Sequence, residues 1–183
     1  MHISYYLFIF TLSLCFGGEK QSNSLNFYDY HAKDITGKDI NMSIYKDKKI
    51  LIVNVASKCG FTPQYNDLQT LHETYGNNLA VLGFPSNDFL WQEPGSNIEI
   101  QLFCQRNYKV TFQMFEKMHV KGKNQHPIYK WLSDSRLNGW NNEIPSWNFC
   151  KYLIDEEGRL IEFYKSRIEP LDTLITHHLN SNK

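Results

Sequence analysis

A chain of 183 residues has the length of one domain, and it can bury a hydrophobic core without disulfide bonds or a structural metal. Its 19 Lys and Arg residues balance its 19 Asp and Glu residues, so the formal charge at neutral pH is zero. The sequence contains no basic stripe that would neutralise a run of phosphates, which argues against nucleic acid as a partner.

An apolar segment covers residues 3–16 and is followed by small residues and then by a polar stretch. This order is typical of a secretory signal peptide, although no Lys or Arg precedes the apolar segment, which is also short for a membrane span. We therefore predict a signal peptide over residues 1–18, cleaved near Gly17 or Gly18, and a secreted or periplasmic protein. The alternative is a membrane anchor formed by an uncleaved leader.

Cys15 lies within this leader and raises the alternative of a lipid anchor attached through its thiol. Leu14 argues against that alternative, because a small residue is expected before a lipidated cysteine. Residues 19–24 are predicted to be a linker and residues 25–183 one domain, since the sequence shows no repeat. Removal of the leader leaves three cysteines, an odd number that points to a reactive thiol rather than a disulfide scaffold.

The domain begins with a predicted β-hairpin at a sheet edge, which turns at Thr36-Gly37. An apolar run rich in β-branched residues follows over residues 49–56 and is typical of a strand buried on both faces. Cys59 lies in the turn after this strand. A helix is expected just beyond it, with Thr62 as its cap and Pro63 at its first position.

The segment "NLAVLGFP" predicts a second parallel strand, and the next helix carries Cys104 and opens with Ser96 and Glu99 in capping-box spacing. The segments "WNFCKYLID" and "RLIEFYKS" predict an antiparallel hairpin, and a last helix is expected to start at Pro170. This order of elements predicts an α/β protein with a thioredoxin-like fold, in which helices flank a mixed central sheet.

Cys59 has a position that favours nucleophilic chemistry. A thiol at the start of a helix lies near free backbone N–H groups and the positive end of the helix dipole, which favour the thiolate. Lys58 adds a neighbouring positive charge, although a small residue that only fills a tight turn is the alternative. The sequence "CGFT" lacks the second cysteine of a Cys-x-x-Cys motif, which disfavours ordinary dithiol exchange. A cysteine hydrolase would need a histidine base, and no local pattern selects His72, His119 or His126.

Five segments resemble, in order, the successive sequence blocks of the glutathione peroxidase family: "NVASKCGFTPQY", "LGFPSNDFLWQEPGSNIEI", "YKVTFQMF", "HPIYKWL" and "WNFCKYLID". The resemblance covers nearly everything after the leader. It implies a thioredoxin fold and the reduction of hydrogen peroxide and organic hydroperoxides, without a bound cofactor and with thioredoxin or glutathione as electron donor. The family's catalytic residues fall on Cys59, Gln92, Trp147 and Asn148, which implies a cysteine-type member.

Peroxide reduction gives these four residues compatible roles. The thiolate attacks one oxygen, the O–O bond breaks and charge develops on the departing oxygen, so nearby N–H donors are needed. Trp147 supplies an indole N–H, and the amides of Gln92 and Asn148 supply two N–H groups each. On a regular strand Trp147 and Asn148 would point to opposite faces, so the strand must bend or Asn148 must act through its backbone. The alternatives are core packing for Trp147 and a solvated loop amide for Gln92.

The block "FPSNDFLWQE" departs from the family pattern "FPCNQFGxQE". Ser86 replaces a cysteine, Asp88 replaces a glutamine, and Leu90-Trp91 displaces a glycine. The loss of the cysteine removes one possible disulfide partner. Trp91 is expected either to form an apolar wall near the site or to cap the loop.

A sulfenic acid on Cys59 needs a second thiol to resolve it. By the resemblance, Cys104 occupies the position of the resolving cysteine in the thioredoxin-dependent branch of the family. Its helix would have to unwind or shift, because otherwise the two thiols lie too far apart for a disulfide. The alternatives are that Cys104 only packs in the core, or that Cys150 resolves, although Cys150 is expected to be a core residue.

The segment 131–147 lacks the insertion that tetrameric family members use for subunit contacts, which implies a monomer with an open active-site face. Bulky lipid hydroperoxides would then have access. The residues that hold glutathione in selenium-type members are not recognisable, which favours thioredoxin as reductant. The pair His177-His178 has no further ligand at suitable spacing, so no metal site is predicted.

Three functions remain open at this point. The first is a hydroperoxide-reducing enzyme. The second is a peroxide sensor or redox relay, which starts from the same sulfenic acid but passes its oxidised state to a partner protein with little turnover. The third is a thioredoxin-fold binding module with incidental thiols, which the presence of all four family residues disfavours.

Overall fold

The computed structural model describes residues 26–180. The predicted signal peptide over residues 1–18, the linker over residues 19–24 and Cys15 lie outside the described residues. The described part forms seven strands and five α-helices. They are β1 (His31–Lys33), β2 (Asp39–Asn41), β3 (Lys49–Val55), α1 (Tyr65–Tyr75), β4 (Leu79–Pro85), α2 (Asn97–Tyr108), β5 (Gln113–Met114), α3 (Pro127–Leu132), α4 (Ser135–Asn138), β6 (Lys151–Ile154), β7 (Leu160–Tyr164) and α5 (Thr173–Asn180). Between residues 26 and 180, no helix is both long enough and apolar enough to cross a membrane.

A mixed sheet of five strands forms the centre of the fold, in the order β5-β4-β3-β6-β7. Strands β3, β4 and β5 are parallel, whereas β6 and β7 are antiparallel to their neighbours. The two long apolar runs of the sequence are β3 and β4, as predicted, and β3 is paired on both edges. The mixed central sheet predicted from the sequence is therefore confirmed.

Helices cover both faces of this sheet because both faces of β3 are apolar. Leu51 and Val53 join a core cluster with residues of α1, α2 and α5. Ile50 and Ile52 point the other way, as alternate residues of a strand do, and join a second cluster with α3. The result is a three-layer arrangement of helices, sheet and helices.

The N-terminal hairpin is present, with β1 and β2 antiparallel, and it forms a sheet of its own. At its turn Gly37 has φ +91°, a backbone conformation that favours glycine. The Ile35 N–H donates to the Met114 carbonyl of β5 at 2.9 Å. The hairpin therefore lies beside the β5 edge of the central sheet.

Helix α1 begins later than the sequence predicts, because Thr62–Gln64 form a 3-10 turn before it. The Thr62 hydroxyl does not cap α1 and instead serves the turn that contains Cys59. It donates to the Ala56 carbonyl at 2.8 Å and accepts the Cys59 backbone N–H at 3.0 Å. The predicted capping role of Thr62 is therefore wrong, and its hydroxyl fixes the end of β3.

Helix α5 also begins later than predicted, at Thr173 rather than at Pro170. The Asp172 carboxylate accepts the Leu174 N–H at 2.9 Å and so satisfies a backbone donor at the start of the helix. The aspartate, and not the proline, therefore marks this helix start.

Helix α2, which carries Cys104, is closed by hydrogen bonds at both ends. The predicted capping box is present: the Ser96 hydroxyl accepts the Glu99 N–H, and the Glu99 carboxylate accepts the Ser96 N–H at 2.7 Å. At the other end Lys109 adopts the left-handed conformation with φ +55°, and its N–H donates to the Gln105 carbonyl at 3.1 Å. Both termini are thus satisfied within the chain.

Candidate active site

Cys59 lies in the turn that follows the carboxyl end of β3, and its side chain is nearly buried, with 8 % of its surface exposed. The Phe61 N–H donates to the Cys59 Sγ at 3.4 Å. The Thr62 N–H donates to the Cys59 carbonyl at 3.0 Å, which fixes the turn together with the Thr62 hydroxyl. An N–H group directed at sulfur stabilises negative charge there, so the local geometry suits a nucleophilic thiol.

Gln92 ends the loop that follows β4, and the backbone holds this loop against the Cys59 turn. The Lys58 N–H donates to the Gln92 carbonyl at 3.0 Å, and the Ser86 N–H donates to the Val55 carbonyl at 3.0 Å. Because β3 and β4 are parallel neighbours, the loops at their carboxyl ends lie side by side. Gln92 is therefore placed beside the residue that precedes Cys59.

The sequence suggested that Trp147 and Asn148 begin a strand, but this prediction is wrong. Both residues lie in a turn before β6, which starts only at Lys151. Phe149 has φ +64°, in the left-handed region that non-glycine residues seldom adopt. The Asn54 side-chain N–H donates to the Trp147 carbonyl at 2.9 Å, and the Phe149 N–H donates to the Asn54 carbonyl at 2.6 Å. Because this segment is a turn and not a strand, the side chains of Trp147 and Asn148 need not point to opposite faces.

Asn148 and Gln92 meet directly. The Asn148 Nδ2 group donates to the Gln92 Oε1 at 3.0 Å, and Asn148 is completely buried. The Trp147 ring lies 5.8 Å from the Phe89 ring, centroid to centroid, and packs against the core cluster that contains Cys59. The Gln92 Oε1 accepts from Asn148, and the two N–H groups of Gln92 Nε2 are the donors that this amide can offer to a substrate.

Asn54 is a site residue that the sequence reasoning missed. It is completely buried on β3, and it fixes the turn of Trp147 and Asn148 through one side-chain and one backbone hydrogen bond. A signal was available, because Asn54 is the polar residue within the otherwise apolar run "ILIVNVA". A buried polar residue needs a partner, and its partner here is the chain around Trp147.

Glu93, directly after Gln92, was also missed, and only 1 % of its surface is exposed. Burial raises the pKa of its carboxyl to about 7, although hydrogen bonds from Ser57 and the charges of Lys117 and Lys58 act in the opposite direction. The Ser57 hydroxyl donates to the Glu93 Oε2 at 3.0 Å. Glu93, Ser57 and Lys58 line a cavity of about 350 Å³ between the Cys59 turn and α2.

Cys104 lies on α2 in the same core cluster as Cys59, with 1 % of its surface exposed. Burial raises the pKa of its thiol to about 11, and the nearby Glu93 carboxyl contributes to this rise. Cys150 is completely buried, and its Sγ lies 3.5 Å from the Ser166 hydroxyl. The cysteines of the described part are all free thiols, so which one resolves Cys59 stays a prediction.

Asp88 occupies the position where the family pattern has glutamine, and it ties the Gln92 loop to a second loop. Its carboxylate accepts the His119 Nδ1–H at 2.6 Å, the Val120 N–H at 2.7 Å and the Lys121 N–H at 3.3 Å. His119 is thus engaged by Asp88, and no hydrogen bond to Cys59 is formed by a histidine of residues 26–180. The structure therefore offers no support for a Cys-His hydrolase.

Potential metal ligands do not gather in the described part, where no group of three His, Cys, Asp or Glu side chains has suitable geometry. The rings of His177 and His178 lie against each other with their centroids 3.8 Å apart and their planes tilted by 40°. The absence of a metal site stays a prediction for the chain as a whole.

Comparisons with known proteins agree with the resemblance. A family model described as "Glutathione peroxidase" matches residues 27–133. A protein of Lactococcus lactis named glutathione peroxidase is 48% identical over 147 residues, which are 80% of this chain and 93% of that protein. A "Glutathione peroxidase-like peroxiredoxin" of Schizosaccharomyces pombe is 44% identical over 79% of this chain and 92% of its own length.

Comparison with a solved structure supports the assignment of the fold. The crystal structure of T. cruzi GPX1 has a TM-score of 0.65 and 29% sequence identity, covering 85% of this chain and 94% of that chain. The predicted thioredoxin-like fold is thereby confirmed.

Proposed function

The chain belongs to the glutathione peroxidase family and is a peroxidase, and on that premise we propose that Cys59 reduces hydrogen peroxide and organic or lipid hydroperoxides. The observation that carries the assignment of residues is the hydrogen bond between Asn148 and Gln92. It joins the loops after β4 and before β6 beside the turn of Cys59. The loops that carry Gln92, Trp147 and Asn148 are thereby joined next to the turn that carries Cys59, which supports the proposal.

The peroxidatic step uses Cys59 as the nucleophile. Its sulfur forms a bond to one peroxide oxygen, the O–O bond breaks, and the departing oxygen takes up the thiol proton and leaves as an alcohol or water. Cys59 is oxidised to the sulfenic acid and the peroxide is reduced. Gln92, Trp147 and Asn148 donate hydrogen bonds to the charge on sulfur and on the departing oxygen.

Cys104 then resolves the sulfenic acid in our proposal. The Cys104 sulfur forms a disulfide with Cys59, and the hydroxyl group of the sulfenic acid leaves as water with the Cys104 proton. An external dithiol of the thioredoxin class reduces the disulfide and is itself oxidised. Burial keeps Cys104 protonated in the structure described, so α2 must open before its thiol can react.

The test is the steady-state consumption of hydroperoxide, coupled to thioredoxin and separately to glutathione. Cys59→Ser should abolish turnover with both donors, and Cys104→Ser should abolish turnover with thioredoxin. Cys150→Ser, which also removes a buried thiol, is the matched control and should retain activity. Activity in Cys59→Ser would overturn the nucleophile, and loss in Cys150→Ser with retention in Cys104→Ser would make Cys150 the resolving thiol.

One observation favours the sensor as a second candidate. Cys104 is buried in a helix closed at both ends. If its thiol can reach Cys59 only after this helix opens, the sulfenic acid on Cys59 is expected to be long-lived. A long-lived sulfenic acid can react with a thiol of a bound partner instead. Fast oxidation of Cys59 with negligible turnover in every coupled assay would favour this function over the enzyme.

A further inference from the structure

Two large apolar side chains on the loop that carries Gln92, Leu90 and Trp91, are exposed to solvent. Leu90 is 68% exposed and Trp91 is 77% exposed. Both residues have positive φ, +50° and +53°, where a side chain costs conformational energy and glycine is the usual choice. We call this pair the apolar tip.

The base of the apolar tip is held in place by the rest of the loop. Phe89 is buried against the ring of Trp147. The Gln92 N–H donates to the Phe89 carbonyl at 3.2 Å, which closes the backbone around the tip. This hydrogen bond and the packing of Phe89 therefore hold the backbone from which Leu90 and Trp91 project.

One lysine lies at the base of the apolar tip, and the carboxylate of the same loop is already engaged in hydrogen bonds. The only carboxylate of the loop 86–92, Asp88, has a side chain 10% exposed, and its oxygens accept hydrogen bonds from His119 and from two backbone N–H groups. Lys121 holds its ammonium 4.1 Å from the centre of the Phe89 ring. Lys58, whose N–H donates to the Gln92 carbonyl, is exposed, but its side chain lines the separate cavity that Glu93 and Glu99 also line.

We propose that the apolar tip inserts into the surface of an anionic lipid bilayer, with Lys121 at the headgroups. Tryptophan favours the bilayer interface, and basic residues add attraction to anionic lipids. Two protruding side chains are too few for a stable protein interface, which buries about 800 Å² on each partner. The proposal rests on the proposed function, because it brings the Cys59 site to hydroperoxides of membrane lipids.

The test measures binding of the full chain to vesicles of phosphatidylcholine alone and with phosphatidylserine. The double variant Leu90→Ser/Trp91→Ser should bind the anionic vesicles at least tenfold more weakly than the unchanged chain. A control double variant, Ile144→Ser/Leu174→Ser, alters two side chains that are half exposed elsewhere and should bind normally. Added salt should weaken binding of the unchanged chain to the anionic vesicles.

A second readout separates the apolar tip from the leader, which contains no tryptophan. Lipids brominated along their chains should quench the tryptophan emission of the unchanged chain, and the quenching should be lost in Trp91→Phe while binding is retained. Equal quenching in Trp91→Phe and the unchanged chain would overturn the proposal, as would equal vesicle binding by the Leu90→Ser/Trp91→Ser variant.

Activity distinguishes this proposal from the proposed function. The Leu90→Ser/Trp91→Ser variant should consume hydrogen peroxide in solution at the normal rate and hydroperoxide in anionic vesicles about tenfold more slowly. If the unchanged chain does not bind vesicles but consumes hydrogen peroxide at a normal rate, the membrane-binding proposal is overturned and the proposed peroxidase function stands. If the Leu90→Ser/Trp91→Ser variant loses thioredoxin-coupled hydrogen peroxide turnover, the apolar tip contacts the reductant and the membrane-binding proposal is overturned. Absence of turnover in the unchanged chain would overturn the peroxidase itself.

Discussion

Replacement of Glu93 by Gln is expected to stabilise the fold at alkaline pH and to leave it nearly unchanged at acidic pH. In the folded protein burial raises the pKa of this carboxyl from 4.5 to about 7. Its protonated form is thus favoured by folding, and the stability it contributes is fully present below pH 4.5 and lost as the pH rises through about 7. A glutamine at this position stays neutral at every pH, so its contribution to the stability does not fall as the pH rises.

The magnitude follows from the gap between the two pKa values. At about 1.36 kcal/mol for each pH unit, the gap between 4.5 and about 7 corresponds to on the order of 3 kcal/mol above pH 8. The glutamine Oε1 can still accept the hydroxyl of Ser57, which donates to the Glu93 Oε2 at 3.0 Å. The gain in the free energy of unfolding should therefore approach this value.

The assay is urea unfolding of Glu93→Gln and the unchanged chain, with thiols kept reduced, at about pH 4.5 and pH 8.5. Glu99→Gln is the control, because hydrogen bonds from Ser96 lower the pKa of that exposed carboxyl. The contribution of Glu99 is present above its unfolded pKa and lost as the pH falls, so Glu99→Gln should bring no gain at pH 8.5. A difference between Glu93→Gln and the unchanged chain that is the same at both pH values would refute the reasoning.

Two further changes test buried contacts by the same unfolding measurement. Lys151→Met should lower the free energy of unfolding by about 2–4 kcal/mol, because the buried ammonium donates to Gln64 Oε1 at 2.6 Å and to two backbone carbonyls that would lose their donor. The exposed Lys130→Met should change it little, and equal effects would contradict this account. Gly158→Ala should cost about 2–4 kcal/mol, since an added Cβ would collide with the side chains of Asn26 and Tyr28 at a φ of +81°. Gly122→Ala, at φ +80° in open space, should cost only about 1 kcal/mol, so a similar loss in both would show that strain alone decides.

The sheet was predictable from the sequence because its signals are local. The apolar runs of β3 and β4 and the capping box of α2 each lie within a few consecutive residues. The turn of Trp147 and Asn148 was not, because it depends on hydrogen bonds to Asn54, which is 93 residues away along the chain. The short helices α3 and α4 were also not predicted.

The candidate site divides in the same way. Cys59 was identifiable from its position between a buried strand and a helix start, whereas Gln92, Trp147 and Asn148 came only from the family resemblance. Glu93 carries no local sequence signal, because its raised pKa arises from burial beneath a turn formed by another segment. Residues whose chemistry depends on contacts between distant segments require the structure.

The two closed ends of α2 also bear on how the protein withstands excess peroxide. With Cys104 as the resolving thiol, the sulfenic acid on Cys59 faces two competing fates: capture by Cys104 after α2 opens, or attack by a second peroxide that gives the irreversible sulfinic acid. The capping box and the Lys109 cap stabilise the closed helix and delay the first fate. On that assignment we expect the helix caps to influence the peroxide concentration at which the enzyme inactivates itself, and weakening the Ser96 cap should raise that tolerance.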